Sequence, residues 1–312
     1  MPDAGDAEPQ HGVIARNDRF VVYLPGPEDT LGSLAQRFLG SEGLSWRIAD
    51  FNGISRAETG SVLTIPLNPL NPLAVWPNGY QTIPILTYHR VGSRNNRMEV
   101  TARQLAEQFE YLARHGYRVI RLSELADFIA GKTDLPLRAV VLTFDDGYTS
   151  TYEHAYPLLK KYGFPATVFL YTNFIGARDA LTWGQIREMA QSGLVEFQPH
   201  SKTHSNLIVR LPGETDYQYR ERLDTEIRTP RDLIRRTLSS EVVHYAYPYG
   251  DANDHVLERL NQAQFRLGLT VNPGGNAFYA YPFMLRRTMI FGDRGLDGFK
   301  AALEVSRSFG GR

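Results

Sequence analysis

The sequence predicts an α/β protein: a distorted (β/α) barrel over residues 83–312, preceded by a small β-α-α-β domain over residues 18–67. Three observations lead there. From residue 83 onward, short apolar and β-branched runs alternate with stretches of helical periodicity, the pattern of a parallel sheet with crossover helices. Residues 68–82, NPLNPLAVWPNGYQT, are proline-rich and read as a stiff linker between two domains. Finally, two of the strand-like runs, VVLTF and VEFQP, each lead into reactive side chains.

Taken in order, residues 1–17 read as a disordered leader. Residues 20–24 form a strand, and Asp29 and Thr30 open a helix over 31–39. A second helix covers 44–51, Asn52-Gly53 turns the chain, and GSVLTIP at 60–66 is a closing strand. Beyond the linker, residues 83–88 are extended and end in His89-Arg90. Thr101 and Gln104 have the spacing of a capping box, and Leu105, Phe109 and Leu112 fall on one face of the helix that follows. A strand at 119–120, a helix at 122–130 and the buried strand VVL at 140–142 come next. Helix 152–162, strand 166–171 and a helix opened by Thr182 and Gln185 lead to the strand at 195–198. The heavily charged stretch 208–240 is predicted to hold two helices, 217–226 and 231–237, with solvated faces. Strand 244–247, helix 256–263, strands 266–271 and 285–290, and a closing helix at 296–309 complete the domain.

The reactive side chains sit where strands end. Asp145 and Asp146 are adjacent, and neighbours in a strand face opposite ways. They converge on one site only if the chain leaves the sheet, which Gly147 permits. Acids at the C-terminal mouth of a buried strand occupy the place where α/β enzymes put their chemistry. His200 and His204, four residues apart, share one face if helical and can also converge in a tight loop. Two histidines and a carboxylate are the ligand set of a catalytic zinc or similar ion.

FDDG (144–147), HSKTH (200–204) and YAYPYG (245–250), in that order, resemble the successive motifs of the polysaccharide deacetylases, the NodB-homology carbohydrate esterases of family 4. ILTYHRVG at 85–92 is similar to the subgroup that includes the poly-N-acetylglucosamine deacetylases. The resemblance covers residues 80–305. It implies a NodB-type fold and metal-dependent hydrolysis of N-acetyl groups from a GlcNAc-containing polysaccharide such as peptidoglycan, poly-GlcNAc or chitin, releasing acetate. It further implies Asp146, His200 and His204 as ligands of a divalent metal, zinc first, with Co2+, Ni2+ or Fe2+ able to use the same ligands. Asp145 is then the general base, and the backbone N–H of Tyr249 helps hold the oxyanion.

Two family features are replaced. The arginine that steadies the base in most of the family has Ala246 in its place, and Arg287 on the last strand is the candidate substitute. The C-terminal histidine motif is missing, since no histidine follows His255. His89 matches the Tyr-His that supplies the acid in the poly-GlcNAc subgroup. Residues 29–31, Asp-Thr-Leu, and the GSVLTIP ending resemble LysM, a small module that binds GlcNAc-containing glycans. Two alternatives remain open: a catalytically weak glycan-binding protein, and an O-acetyl esterase on the same fold.

Composition agrees with a neutral target. Lys plus Arg and Asp plus Glu are 34 each, so there is no global field to attract nucleic acid or a membrane surface. The 42% hydrophobic content suffices for a sizeable core. Cysteine is absent, which excludes disulfides and thiolate metal sites. No run approaches a membrane span, and no phosphate-cradling glycine loop supports a phosphatase. MPDAGDAEPQHG has no apolar core of a signal peptide. A cell-envelope glycan target implies a periplasmic or envelope location, with the export signal outside this sequence; a cytoplasmic location is the alternative.

Overall fold

The computed structural model describes residues 11–94, 96–304 and 307–308, and the chain divides into two compact units. The smaller runs to Pro72 and takes in Lys132–Pro136; the larger holds the remainder. Residues 1–10, most of the expected leader, lie outside the described residues.

In the smaller unit, β1 (Gly12–Arg16) pairs antiparallel with β2 (Phe20–Leu24). Helices α1 (Leu31–Leu39) and α2 (Ser45–Asn52) follow, and β3 (Leu63–Pro66) closes on the other side of β2. Thr30 Oγ1 accepts the Ser33 N–H, and Ser33 Oγ accepts the Thr30 N–H, so α1 starts on a reciprocal cap. Val21, Leu34, Ile48 and Ile65 form the wholly buried centre. Asp134 accepts from Arg47 at 2.6 Å and from the Leu70 N–H at 3.1 Å, which accounts for the grouping of Lys132–Pro136 with this unit. The strand β1 corrects the expectation of a leader through residue 17. It is largely exposed and crosses a bulge between Val13 and Ala15, so GVIAR carries no alternation that would mark an edge strand.

The larger unit begins with β4 (Val75–Trp76), β5 (Gly79–Tyr80), β6 (Ile83–Tyr88), β7 (Arg90–Gly92), β8 (Glu99–Thr101) and α3 (Ala102–Arg114). Next come β9 (Arg118–Val119), α4 (Leu122–Ile129), β10 (Ala139–Phe144), α5 (Tyr156–Tyr162), β11 (Ala166–Leu170), α6 (Trp183–Gln191) and β12 (Val195–Pro199). It ends with α7 (Asp216–Leu238), β13 (His244–Ala246), α8 (Asp254–Gln262), β14 (Leu267–Leu269), β15 (Gly275–Asn276), β16 (Thr288–Met289), α9 (Gly295–Leu303) and β17 (Arg307–Ser308). The expected linker is therefore not bare. Pro77-Asn78 turns β4 into β5, and β17 pairs with β5.

The main sheet has the order β12-β11-β10-β6-β15, with β16 also on β6 and β9 on β10. β6, β10, β11, β12 and β16 are parallel. Every residue of β6 and β10 is buried, as parallel strands covered on both faces require. Around the expected distorted barrel, the strand pairing is interrupted in two places. Beyond β12, the Gln198 side-chain oxygen accepts the N–H groups of Val243 and His244, both at 3.0 Å, where a ladder to β13 would run. β13 pairs with β14, and a single parallel bridge from Leu269 to Leu285 leads back toward β16.

α7 is one helix where two were expected. It passes through Pro230, which has no N–H to give the carbonyl of Glu226. Leu223, Ile227 and Ile234 are wholly buried on both sides of that gap and hold the helix together. α9 ends at Leu303, short of the expected 309, which lies outside the described residues. Among the described residues no helix is long and apolar enough to cross a membrane.

One core group makes stability depend on pH. His244 is 1% exposed, and burial, with the Arg266 charge adding to it, pushes its pKa down to about 3. The unfolded histidine titrates near 6.5, so between about 3 and 6.5 the folded state binds fewer protons. Stability from this source is therefore full above pH 6.5 and falls with pH, by about 2 kcal/mol at pH 5. Urea midpoints at pH 7 and pH 5 should diverge more for the wild type than for His244→Gln; equal divergence would remove His244 as the cause.

Candidate active site

Register brings four strand ends to one edge. Tyr88 is level with Phe144, and Leu170 with Pro199. His89 follows β6, Asp145 and Asp146 follow β10, His200 follows β12, and Tyr249 comes shortly after β13. Asp145 is still in the ladder, its N–H donating to Tyr88 O at 2.9 Å. The turn starts at Asp146 itself, with φ 72°, and continues at Gly147 with φ 78°. A Cβ at Gly147 would lie 2.5 Å from Leu170 Cδ2, so the position needs glycine for space as well as for φ.

The two carboxylates are thereby separated. Asp145, 1% exposed, receives both terminal nitrogens of Arg287 at 2.7 and 2.8 Å, and Arg287 Nε donates to Thr270 O at 2.8 Å. Arg287 is wholly buried, with its guanidinium 5.4 Å from the Phe169 ring centre. Burial alone would raise the pKa of Asp145; the Arg287 charge and hydrogen bonds, with His200, hold it below the usual carboxylate value.

Asp146 has different company. Its Oδ1 is buried, has no hydrogen-bond partner, and lies 3.3 Å from His204 Nε2 and 3.8 Å from His200 Nε2. The ligand atoms of Asp146, His200 and His204 all fall within 4.8 Å of one another. His200 Nδ1 lies 2.8 Å from Ala246 O, an acceptor only, so Nδ1 carries the proton and Nε2 presents its lone pair. Burial would raise the Asp146 pKa, but His204 and His200 bring it down to about 2. Burial lowers the His200 pKa, against the pull of the two aspartates. An orphaned carboxylate oxygen facing two imidazole nitrogens is a donor set that fits a divalent ion of the zinc type.

Backbone strain gathers at the same place. Asp146, Ser201, His204 and Tyr249 all have φ between 61° and 78° although none is glycine. Each such residue costs on the order of 1–3 kcal/mol and persists only where its surroundings over-determine it. Tyr249 is 59% exposed, with its ring 5.0 Å from that of His204. His89 is partly buried, and its charge is close enough to lower the pKa of both aspartates.

Sequence reasoning passed over two groups of residues here. Tyr171 stacks on Phe174 at 4.9 Å and lies 5.1 Å from the His204 ring, and Tyr148 meets Phe174 at 5.5 Å, so aromatic faces border the histidines. Their signal was position alone: each follows a strand end. Glu226, assigned to a solvated helix face, is only 5% exposed and bonds the loop between the two histidines.

Residues 132–268 match the family model described as polysaccharide deacetylase. The larger unit is therefore similar to the polysaccharide deacetylases of the NodB type. YxkH of Bacillus subtilis (strain 168), assigned by its name to the polysaccharide deacetylases, is 29% identical over 71% of this chain and 76% of its own length. The poly-beta-1,6-N-acetyl-D-glucosamine N-deacetylase of Escherichia coli (strain K12) is 27% identical over 64% of this chain, yet the match spans only 35% of that enzyme. Among solved structures, the Streptococcus pyogenes deacetylase PplD in complex with acetate superposes with a TM-score of 0.65 at 27% identity. It covers 72% of this chain and 98% of PplD. This deacetylase is thus a hydrolase that acts on a polysaccharide. The strand ends described above are the part of its fold that carries reactive side chains.

Proposed function

We propose that the protein hydrolyses N-acetyl groups from a GlcNAc-containing polysaccharide with the help of a divalent metal. One observation carries the reading: two adjacent carboxylates have been given unlike surroundings, Asp145 fixed by Arg287 and Asp146 left with an unbonded oxygen facing His200 and His204. Asp146, His200 and His204 would hold the ion. When bound, it supplies Lewis acidity, polarising the acetamide carbonyl and making water a stronger nucleophile.

The remaining steps belong to the chain. Asp145 takes the proton from the attacking water, and Arg287 keeps it ionised and aimed. The Tyr249 N–H, held in a left-handed turn, donates to the oxyanion. His89 gives its proton to the leaving amine nitrogen. Tyr148, Tyr171, Phe174 and Tyr249 offer ring faces to the sugar, as binding sites for largely apolar ring surfaces do. Arg287 stands in for the arginine whose place is taken by Ala246, which favours an active enzyme over a binding relic. The name of the E. coli relative supports a poly-GlcNAc-like substrate, and the S. pyogenes deacetylase in complex with acetate supports release of acetate. In this reading the smaller unit is a LysM-like glycan-binding module, and the enzyme works in the cell envelope.

Acetate release decides the matter. Chelator-treated protein should release none, and Zn2+, Co2+, Ni2+ or Fe2+ should restore release from poly-GlcNAc or chitooligomers. Release from acetylated xylan alone would make it an O-acetyl esterase. Retention on chitin or peptidoglycan with no metal uptake and no acetate would make it a binding protein.

A further inference from the structure

We infer that Glu226, on α7, is a positioning residue for the metal site: its carboxylate sets the loop that delivers His204. The inference rests on the reading of Asp146, His200 and His204 as metal ligands. His200 is fixed through Ala246 O. The loop Ser201-Lys202-Thr203 that leads to His204 is held on one side by the N–H groups of Thr172 and Asn173, which donate to Ser201 O and Lys202 O at 3.2 and 2.9 Å, while its own donors point the other way. Three donors from the middle of that loop converge on one side chain. The N–H groups of Lys202 and Thr203 donate to Glu226 Oε2 at 3.0 and 2.9 Å, and Thr203 Oγ1 donates to Oε1 at 2.9 Å. Successive backbone N–H groups of this kind form a concave anion site, here filled from within the chain. The next N–H along, that of His204, donates to Ser201 Oγ at 2.8 Å, so the left-handed turn at His204 is built directly on this clamp.

The helix explains how the acid reaches the loop. Tyr219, Leu223, Ile227 and Ile234 form the buried stripe of α7, and Glu226 falls on that stripe at helical spacing. An acid on an otherwise apolar face has to meet donors, and the loop supplies them. The carboxylate bonds neither ligand; it acts through Lys202 and Thr203, two of the three residues between them. Partners beyond the ligands commonly tune metal affinity in this way, through the orientation of the ligating side chain.

The test reads metal affinity rather than activity. Apo protein is titrated with Co2+ and Zn2+ against a chromophoric chelator, and the Co2+ absorption spectrum is recorded. Glu226→Ala should bind about 10–100-fold more weakly with an altered Co2+ spectrum. Glu226→Gln should recover much of the loss, because its amide oxygen still accepts both N–H groups and the Thr203 hydroxyl can turn to accept from the amide nitrogen. If the alanine variant does not fold, Glu226→Asp, one methylene short, gives the same readout. Tyr219→Phe is the control, since it removes the hydroxyl's bond to Leu207 O on the same helix without touching the 201–204 loop. It should leave metal affinity unchanged. Wild-type affinity in Glu226→Ala, or equal weakening in Tyr219→Phe, overturns the inference. His204→Ala keeps the two questions apart: wild-type affinity there would overturn the ligand assignment itself.

Discussion

Replacing Arg287 with methionine should destabilise the protein by about 3–5 kcal/mol, the range for removing one partner of a buried ion pair. Asp145 and Arg287 are both essentially inaccessible, and each terminal guanidinium nitrogen is committed to one carboxylate oxygen. Without the cation, the dominant influence left on Asp145 is its burial, which favours the neutral acid. The pH dependence then changes sign. In the wild type the folded pKa lies below the unfolded value of 3.8, so the pair's contribution is full above that value and is lost as pH falls through the folded pKa. In Arg287→Met the folded pKa is raised, the folded state binds the extra proton, and stability from this site improves as pH falls toward 4. The gap in urea midpoint between variant and wild type should therefore narrow from pH 7 to pH 4. Acetate release should fall as well, with its acidic limb moved to higher pH as the base becomes protonated. Arg287→Met combined with Asp145→Leu should regain much of the lost stability and none of the activity. A single variant that melts with the wild type would mean that the pair contributes nothing.

How far the sequence alone could carry this site depends on the range of each interaction. Local signals translated well. The capping boxes at Thr101 and Thr182 both form, because an N-cap and its N3 partner are fixed within one turn. The apolar runs at 83–88 and 140–144 are wholly buried parallel strands, as unbroken hydrophobicity implies. Long-range facts were poorly legible. Arg287, named from the sequence as the substitute for the arginine replaced by Ala246, does meet Asp145 across 142 positions, but LRRT itself carries no mark that separates a buried arginine from a surface one. β1 is held by backbone pairing on an exposed edge, which leaves no periodicity in GVIAR. The interruption beyond β12 depends on one amide side chain, Gln198, accepting in place of a strand. Glu226 was hidden by its neighbourhood: α7 is so rich in arginine and acid that its one buried carboxylate looked like another solvated charge.

Asparagine at Asp145 and asparagine at Asp146 should produce two different defects. Distance does not separate the two acids, for His200 Nε2 lies 3.9 Å from Asp145 Oδ2 and 3.8 Å from Asp146 Oδ1. What separates them is saturation. Both Asp145 oxygens already accept from Arg287, so a cation drawn to that side would compete with a guanidinium that cannot leave or deprotonate. Asp146 Oδ1 has no such commitment and faces two imidazoles. Asp146→Asn should therefore lose metal, with activity partly restored by excess ion. Asp145→Asn should keep near-stoichiometric metal while kcat falls about 10²–10⁴-fold, the span for losing a general base. Metal content by elemental analysis, paired with acetate release over a metal titration, distinguishes the two. Equal metal loss in both variants would make Asp145 a ligand too, and the proton acceptor would have to be sought at His89. With Arg287 holding one aspartate and the histidines facing the other, a single Asp-Asp step can serve two chemistries, because the turn begins between the two residues and not after them.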